Sequence, residues 1–236
     1  MCTVTYIPVN KTDFILTSSR DVPYKREKAN TPKEYIENGI KITYPKDGEA
    51  GGTWIGTSEK NRLICLLNGG FTNHIPKKEY RKSRGIIVKD LLLQNEINSA
   101  LSEINLFNIA PFTLIIADWN EELRLIEFVW DGEKKHLKNL PQKMHIWSSA
   151  TLYDANMKQQ RESWFMEWQH HICPQHLNNH ERLENYRHKI LNFHQYGGVG
   201  NSKIDILMKR ENVGTVSITQ VSKQENDIKM TYLDVF

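Results

Sequence analysis

The sequence predicts an α+β fold of mostly antiparallel sheet. Three observations carry that expectation. Short runs rich in β-branched and aromatic residues, separated by turn signals, fill the first half and return in the tail. One long segment, about 152–195, has helical spacing instead. Both ends are strand-like, which suits a single domain over residues 1–236 whose first and last strands share a sheet.

Thr3–Val9 reads as a strand, Asn10-Lys11 as a turn and Asp13–Ser18 as the returning strand of a hairpin. Residues 22–38 are polar and hold Pro23, Pro32 and three lysines, so they read as loop. Strand-like runs follow at Ile40–Tyr44, Thr53–Thr57 and Arg62–Leu67, with Gly48, Gly51 and Gly52 marking a turn before Trp54. The apolar spacing over 86–104 predicts one amphipathic helix, ended before Pro111. Phe112–Ala117 and Leu123–Trp130 read as a second hairpin, and 134–149 is short and mixed. Helices are expected near 156–171 and 179–194, the second capped by Asn178 or Asn179. Strands are expected again at Ile204–Met208, Thr215–Val221 and Ile228–Val235.

Composition excludes several classes. Hydrophobic residues make up 39% and charged residues 25%, which excludes a disordered chain and a collagen. A chain of 236 residues buries enough surface to fold without disulfide staples. No apolar run is long enough to span a membrane. Lys and Arg total 31 against 28 Asp and Glu, a balance of +3 that does not argue for nucleic acid. MCTVTYIPVN has neither a basic n-region nor an apolar h-region, so the expectation is a cytoplasmic protein with reduced thiols. The densest basic run, Lys77 to Arg84, reads first as a solvated loop and second as a contact for phosphate or an acidic ligand.

The three cysteines are Cys2, Cys65 and Cys173. Cys65 lies in an apolar run and reads as a core thiol; Cys173 has no assigned role. Cys2 is different. Removal of Met1 would leave one residue carrying a thiol nucleophile and an α-amine that titrates near 7.7–8.0, close to the thiol's pKa of about 8.5. The amine can then take the thiol proton. The predicted hairpin brings Arg20 and Asp21 opposite the N-terminus, where an arginine lowers a thiol pKa and a carboxylate orients the amine. Asn68 ends an apolar strand and can donate its amide to an oxyanion, with Gly69 allowing close backbone approach. The histidines at 170, 171, 176, 180, 188 and 194 lack zinc spacing and read as ordinary helix-surface residues.

The order of Met1-Cys2, Arg20-Asp21, Gly51-Gly52-Thr53-Trp54-Ile55-Gly56, Leu67-Asn68-Gly69 and Arg81-Lys82-Ser83-Arg84-Gly85 resembles the NRDE family, also called the transport and Golgi organisation protein 2 family. The resemblance is strongest over about residues 1–95. It implies kinship with cysteine N-terminal nucleophile hydrolases, a four-layer αββα sandwich, and cleavage or transfer at the amide bond of a small acylated substrate. By position, Cys2 would be the nucleophile, Arg20 and Asp21 the adjacent charged pair, and Asn68 part of the oxyanion hole. Trp54, Gly69 and Ser149 would line the substrate. No cofactor or metal is implied for that chemistry; haem or acyl-lipid binding on the same fold is the alternative. The chain departs from the family at Ser19 and Val22, which flank the Arg-Asp pair, at Ser149, where relatives carry asparagine, and at Met230, where the hydrolases carry arginine. The sequence names neither the substrate nor the oligomeric state.

Overall fold

The computed structural model describes residues 3–172 and 178–236. Cys2, Cys173 and His176 lie outside the described residues. In chain order the elements begin with β1 (Thr3–Pro8), β2 (Phe14–Pro23), β3 (Asn30–Glu37), β4 (Ile40–Lys46), β5 (Ile55–Ser58) and β6 (Arg62–Asn68). Helices α1 (Arg84–Leu92) and α2 (Ile97–Glu103) follow, then β7 (Phe112–Asp118), β8 (Arg124–Trp130), β9 (Lys135–Leu140) and β10 (His145–Ser148). The chain closes with α3 (Ala155–Ile172), α4 (Asn179–Tyr196), β11 (Val213–Gln224) and β12 (Asp227–Asp234). Every strand pair is antiparallel, as the hairpin signals require. This is an α+β fold with two antiparallel sheets and four helices among the described residues.

The chain divides into two compact units. The first comprises Met1–Arg26, Gln142–Ser148 and Leu152–Phe236. Its five-stranded sheet runs β10-β1-β2-β11-β12, so the first and last strands do share a sheet. Helices α3 and α4 bury Phe165, Leu183, Ile190 and Phe193 with Ile7 and Ile15 of the sheet. Helix α4 starts where predicted because Asn178 and Glu181 form a capping box: the Asn178 side chain accepts from the Glu181 N–H at 2.9 Å and the Glu181 carboxylate accepts in return at 3.2 Å.

The second unit comprises Glu27–Pro141 and Ser149–Thr151. Its seven strands run β3 to β9 in sequence order, an uninterrupted meander. Strands β6 and β7 are buried along nearly their whole length, so they read as continuous apolar runs.

Three local expectations are corrected. Residues 22–38 are not a loop: β2 extends to Pro23 and Asn30–Glu37 forms β3. β3 is an edge strand, which is where a sheet tolerates Pro32 and largely exposed polar side chains. The single helix expected over 86–104 is two helices, α1 and α2. The buried guanidinium of Arg62 explains the break, donating to the carbonyls of Leu91, Gln94 and Asn95 at 3.2, 2.7 and 3.2 Å. Ile204–Met208 is not a strand; the carbonyls of Ile204 and Asp205 turn instead to Arg161.

Candidate active site

The N-terminal hairpin pairs Thr3 with Ser19, Val4 with Ser18 and Thr5 with Thr17. The first described pair, Thr3 with Ser19, lies next in sequence to Arg20 on one strand and to Cys2 on the other. Arg20 and Asp21 are each 2% exposed, and as neighbours in a strand they point to opposite faces of the sheet. On the far side of β2, the pairing with β11 carries a bulge. Thr215 opposes Asp21 and Ser217 opposes Arg20, leaving Val216 as the extra residue. A bulge bends the strand locally and re-aims side chains, and such features gather beside active sites.

Asp21 faces the helices. One carboxylate oxygen accepts from the Thr215 hydroxyl at 2.6 Å and the other from Tyr153 at 2.8 Å. The Tyr153 ring lies beneath the guanidinium of Arg161, 3.7 Å from its centroid. Arg161 is fully buried. It donates to the Thr3 hydroxyl, the side chain next in sequence to Cys2, and to the carbonyls of Ile204 and Asp205. Beside it, fully buried His194 bridges the two strands, with Nε2 at 2.9 Å from the Thr5 hydroxyl and Nδ1 at 2.8 Å from the Ser19 hydroxyl. Burial pulls the imidazole pKa down to about 3, and the charge of Arg161 adds to the effect. His194 is therefore a neutral bridge at physiological pH, with one ring nitrogen donating and the other accepting.

The opposite face of the same sheet carries Arg20 together with Ser18, Ser217 and Thr219. Register partners share a face, so these four side chains form a two-by-two patch. The hydroxyls of Ser18, Ser217 and Thr219 are buried and have no hydrogen-bond partner among the described residues. Leaving a buried hydroxyl unpaired costs about 1–3 kcal/mol. Three together beside an arginine mark this face as one that has not been optimised for stability.

In the second unit, Asn68 ends β6 and pairs with Phe112. Gly69 follows at φ 85°, the left-handed region, and its N–H donates to the Pro111 carbonyl at 3.0 Å. A Cβ there would meet Ala150 and Thr151 at 3.1 Å, so the turn calls for glycine on both counts. Trp54 is 3% and Ser149 2% exposed. The two glycine-bearing blocks of the sequence meet. A Cβ on Gly52 would fall 2.4 Å from the Gly85 backbone, and the Thr53 N–H donates to the Gly85 carbonyl at 3.1 Å. Asn68 also helps line a cavity of about 660 Å³ in this unit, with Asn73, His74, Tyr80, Lys82, Arg84 and Thr151 among its other walls. Among the described residues, no group of three or more His, Cys, Asp or Glu is arranged to hold a metal ion.

The chain matches the transport and Golgi organisation 2 family over residues 1–232. It belongs to that family. No match is found among curated proteins. Three solved structures share its fold. The N-acylethanolamine-hydrolyzing acid amidase ortholog of Caenorhabditis elegans is 13% identical, with a TM-score of 0.58 over 93% of this chain and 92% of that one. Penicillin V acylase from Agrobacterium tumefaciens is 12% identical, with a TM-score of 0.53 over 100% and 86%. An arginine-to-leucine variant of the conjugated bile acid hydrolase from Clostridium perfringens is 9% identical, with a TM-score of 0.52 over 99% and 92%. The fold is that of the N-terminal nucleophile hydrolases.

Arg161, Tyr153 and Thr215 escape a reading by sequence motif, and His194 is corrected from a helix-surface residue to a buried one. A signal existed for two of them. Arg161 stands four residues before Phe165, and His194 four after Ile190, so each sits on its helix's apolar stripe. His170, His171, His180 and His188 are exposed, as expected.

Proposed function

We propose that this chain is an N-terminal-cysteine amidohydrolase or acyltransferase. The observation that carries the reading is the charged end of the N-terminal hairpin. Arg20 and Asp21 are both buried next to the Thr3–Ser19 pair, with three hydroxyls beside the arginine that lack a partner among the described residues. The fold shared with an amidase, an acylase and a bile acid hydrolase supports it.

The reading requires Cys2 to become the first residue. Its α-amine then takes the thiol proton, and the thiolate attacks the carbonyl carbon of an amide. The oxyanion that forms is held by N–H donors, with Asn68 the side-chain candidate. Collapse breaks the C–N bond, the leaving amine takes the proton back from the α-ammonium, and a thioester joins the acyl group to Cys2. Water, or an acceptor amine, attacks the thioester and gives up its proton; the thiol is restored and the acyl product leaves.

Asp21 is assigned to orientation and Arg20 to lowering the thiol pKa. Thr3 and Ser19, fixed from the helix side by Arg161 and His194, keep the hairpin end in register. Two measurements test the reading. Intact-mass analysis of the purified protein is expected to show loss of Met1; retention rules the mechanism out. A thiol-reactive acyl probe is expected to label the wild type and fail with Cys2→Ser; equal labelling removes Cys2 as nucleophile.

A further inference from the structure

We infer that one end of the seven-stranded sheet is a docking surface for an anionic lipid bilayer. The surface belongs wholly to the second unit and does not rest on the proposed chemistry.

Three connections leave the sheet at this end. Asn68, the last residue of β6, pairs with Phe112, the first of β7. Phe112 also pairs with Trp130, the last of β8, and Trp130 pairs with Lys135, the first of β9. Residues 69–83, 104–111 and 131–134 therefore emerge side by side. Their contacts agree. The Arg81 N–H donates to the Asn108 carbonyl at 2.9 Å, and its guanidinium donates to the carbonyls of Asn105 and Phe107. A Cβ on Gly70 would fall 3.0 Å from the Asp131 backbone, and the Phe71 ring meets His136 edge-on at 4.9 Å.

These connections show large apolar side chains to water. Ile75 is 92% exposed, Phe107 78% and Phe71 56%. Around them stand the exposed cations Lys77, Lys78, Arg81, Lys134 and Lys135, against the exposed acids Glu79, Glu103 and Glu133. The two turns at the other end of these strands, 59–61 and 119–123, reverse the balance. They carry Glu59, Glu121 and Glu122 against Lys60, and no large apolar side chain in them is exposed. A single exposed apolar residue needs no explanation, but three gathered with cations at one end of a sheet do. The charge selects a negatively charged partner. The spacing selects lipid over protein. Three separate side chains on two connections form no continuous apolar core of the kind that a protein interface packs. A bilayer accepts each one singly among its headgroups, while the lysines meet anionic lipid at the surface.

The test measures co-sedimentation of the full chain with vesicles of phosphatidylcholine alone and of phosphatidylcholine mixed with phosphatidylserine. Binding is expected to the mixed vesicles only, and should weaken as salt is raised. Lys77→Gln and Lys78→Gln should each weaken it about fivefold, the worth of one lysine at an anionic surface. Ile75→Asp, at an almost fully exposed position, should weaken it by about tenfold or more, since it removes a buried apolar contact and adds a repelled charge. Lys60→Gln makes the same change in charge at the other end of the sheet and should leave binding unchanged. No binding to the mixed vesicles overturns the inference. So does binding that Ile75→Asp leaves intact, or that Lys60→Gln weakens as much as Lys77→Gln does. Soluble polyglutamate is the competing probe. If it binds, is lost in Lys77→Gln and kept in Ile75→Asp, and no vesicle binds, the face belongs to an acidic protein and the lipid reading falls.

Discussion

The two units each bury an arginine completely, and the two are held by different chemistry. Arg62, in the seven-stranded unit, meets a carboxylate: its Nε donates to Asp118 at 3.0 Å, and Asp118 also pairs with Arg124 at 3.0 Å. The rest of its guanidinium satisfies the carbonyls at the break between α1 and α2. Arg161, in the five-stranded unit, is held by two carbonyls, one hydroxyl and the face of Tyr153. Taking a charge out of water costs several kcal/mol, and a partner charge offsets it only with good geometry. Arg62 has that offset and acts as a structural clasp. Arg161 keeps its field, which helps depress the His194 pKa and reaches Asp21 by way of Tyr153. Among the described residues Arg161 has no direct counter-charge, and the proposed function assigns it to the site rather than to the scaffold.

The contrast is open to measurement. Arg62→Ala should cost the most, about 3–5 kcal/mol, because it leaves buried Asp118 with Arg124 alone and takes the donor from three carbonyls. Urea unfolding reads this directly, and Arg62→Met combined with Asp118→Leu should recover much of the loss. A double variant as unstable as the single one would mean the pair is not what makes Arg62 necessary.

Arg161→Met comes next, at about 2–3 kcal/mol, from carbonyls left without a donor. Its separate signature is functional. Cys2-dependent acylation should slow in Arg161→Met at a temperature where the protein is still folded, and a normal rate would return Arg161 to the scaffold.

His194 supplies a pH test. Its folded pKa, about 3, lies below the unfolded value of about 6.5, so the unfolded state binds more protons between those limits. Its contribution is complete above pH 6.5 and is lost as the pH falls toward 3. The slope approaches ~1.4 kcal/mol per pH unit. His194→Asn should be less steep than the wild type by that amount across this window in paired urea titrations. Identical slopes would place the ring in contact with water.

The smallest effect belongs to the surface. Lys41 and Glu34 pair at 3.4 Å with both side chains about half exposed, and Lys41→Ala should move stability by no more than ~0.5 kcal/mol.

Much of the fold was legible. The hairpins at 3–18 and 112–130 and the two helices after 152 follow from alternation, turn residues and caps that act over a few positions. The misjudged stretches are those where a distant group decides. Pro32 and its lysines look like loop until β4 offers them an edge to pair with. The apolar spacing over 86–104 runs on as one helix until Arg62, more than twenty residues away, takes the carbonyls between its halves. Ile204–Met208 has strand composition, yet Arg161 claims its carbonyls. Of the site, Arg20, Asp21 and Asn68 were read from order and residue type. Tyr153, Thr215 and Arg161 were not, because each matters only through a contact across at least 130 residues.

The sequence by itself determined the α+β class, the antiparallel pairing, the family and the position of a thiol one residue behind Met1. Those follow from local patterns and from the order of short blocks along the chain. Tertiary structure alone decided which arginine is paired and which is not, that one helix histidine is a buried bridge, and that half of a basic run walls a cavity. The reason is physical. Burial and hydrogen-bond partners set whether a charged or polar side chain is inert or poised, and both are properties of what the fold brings near.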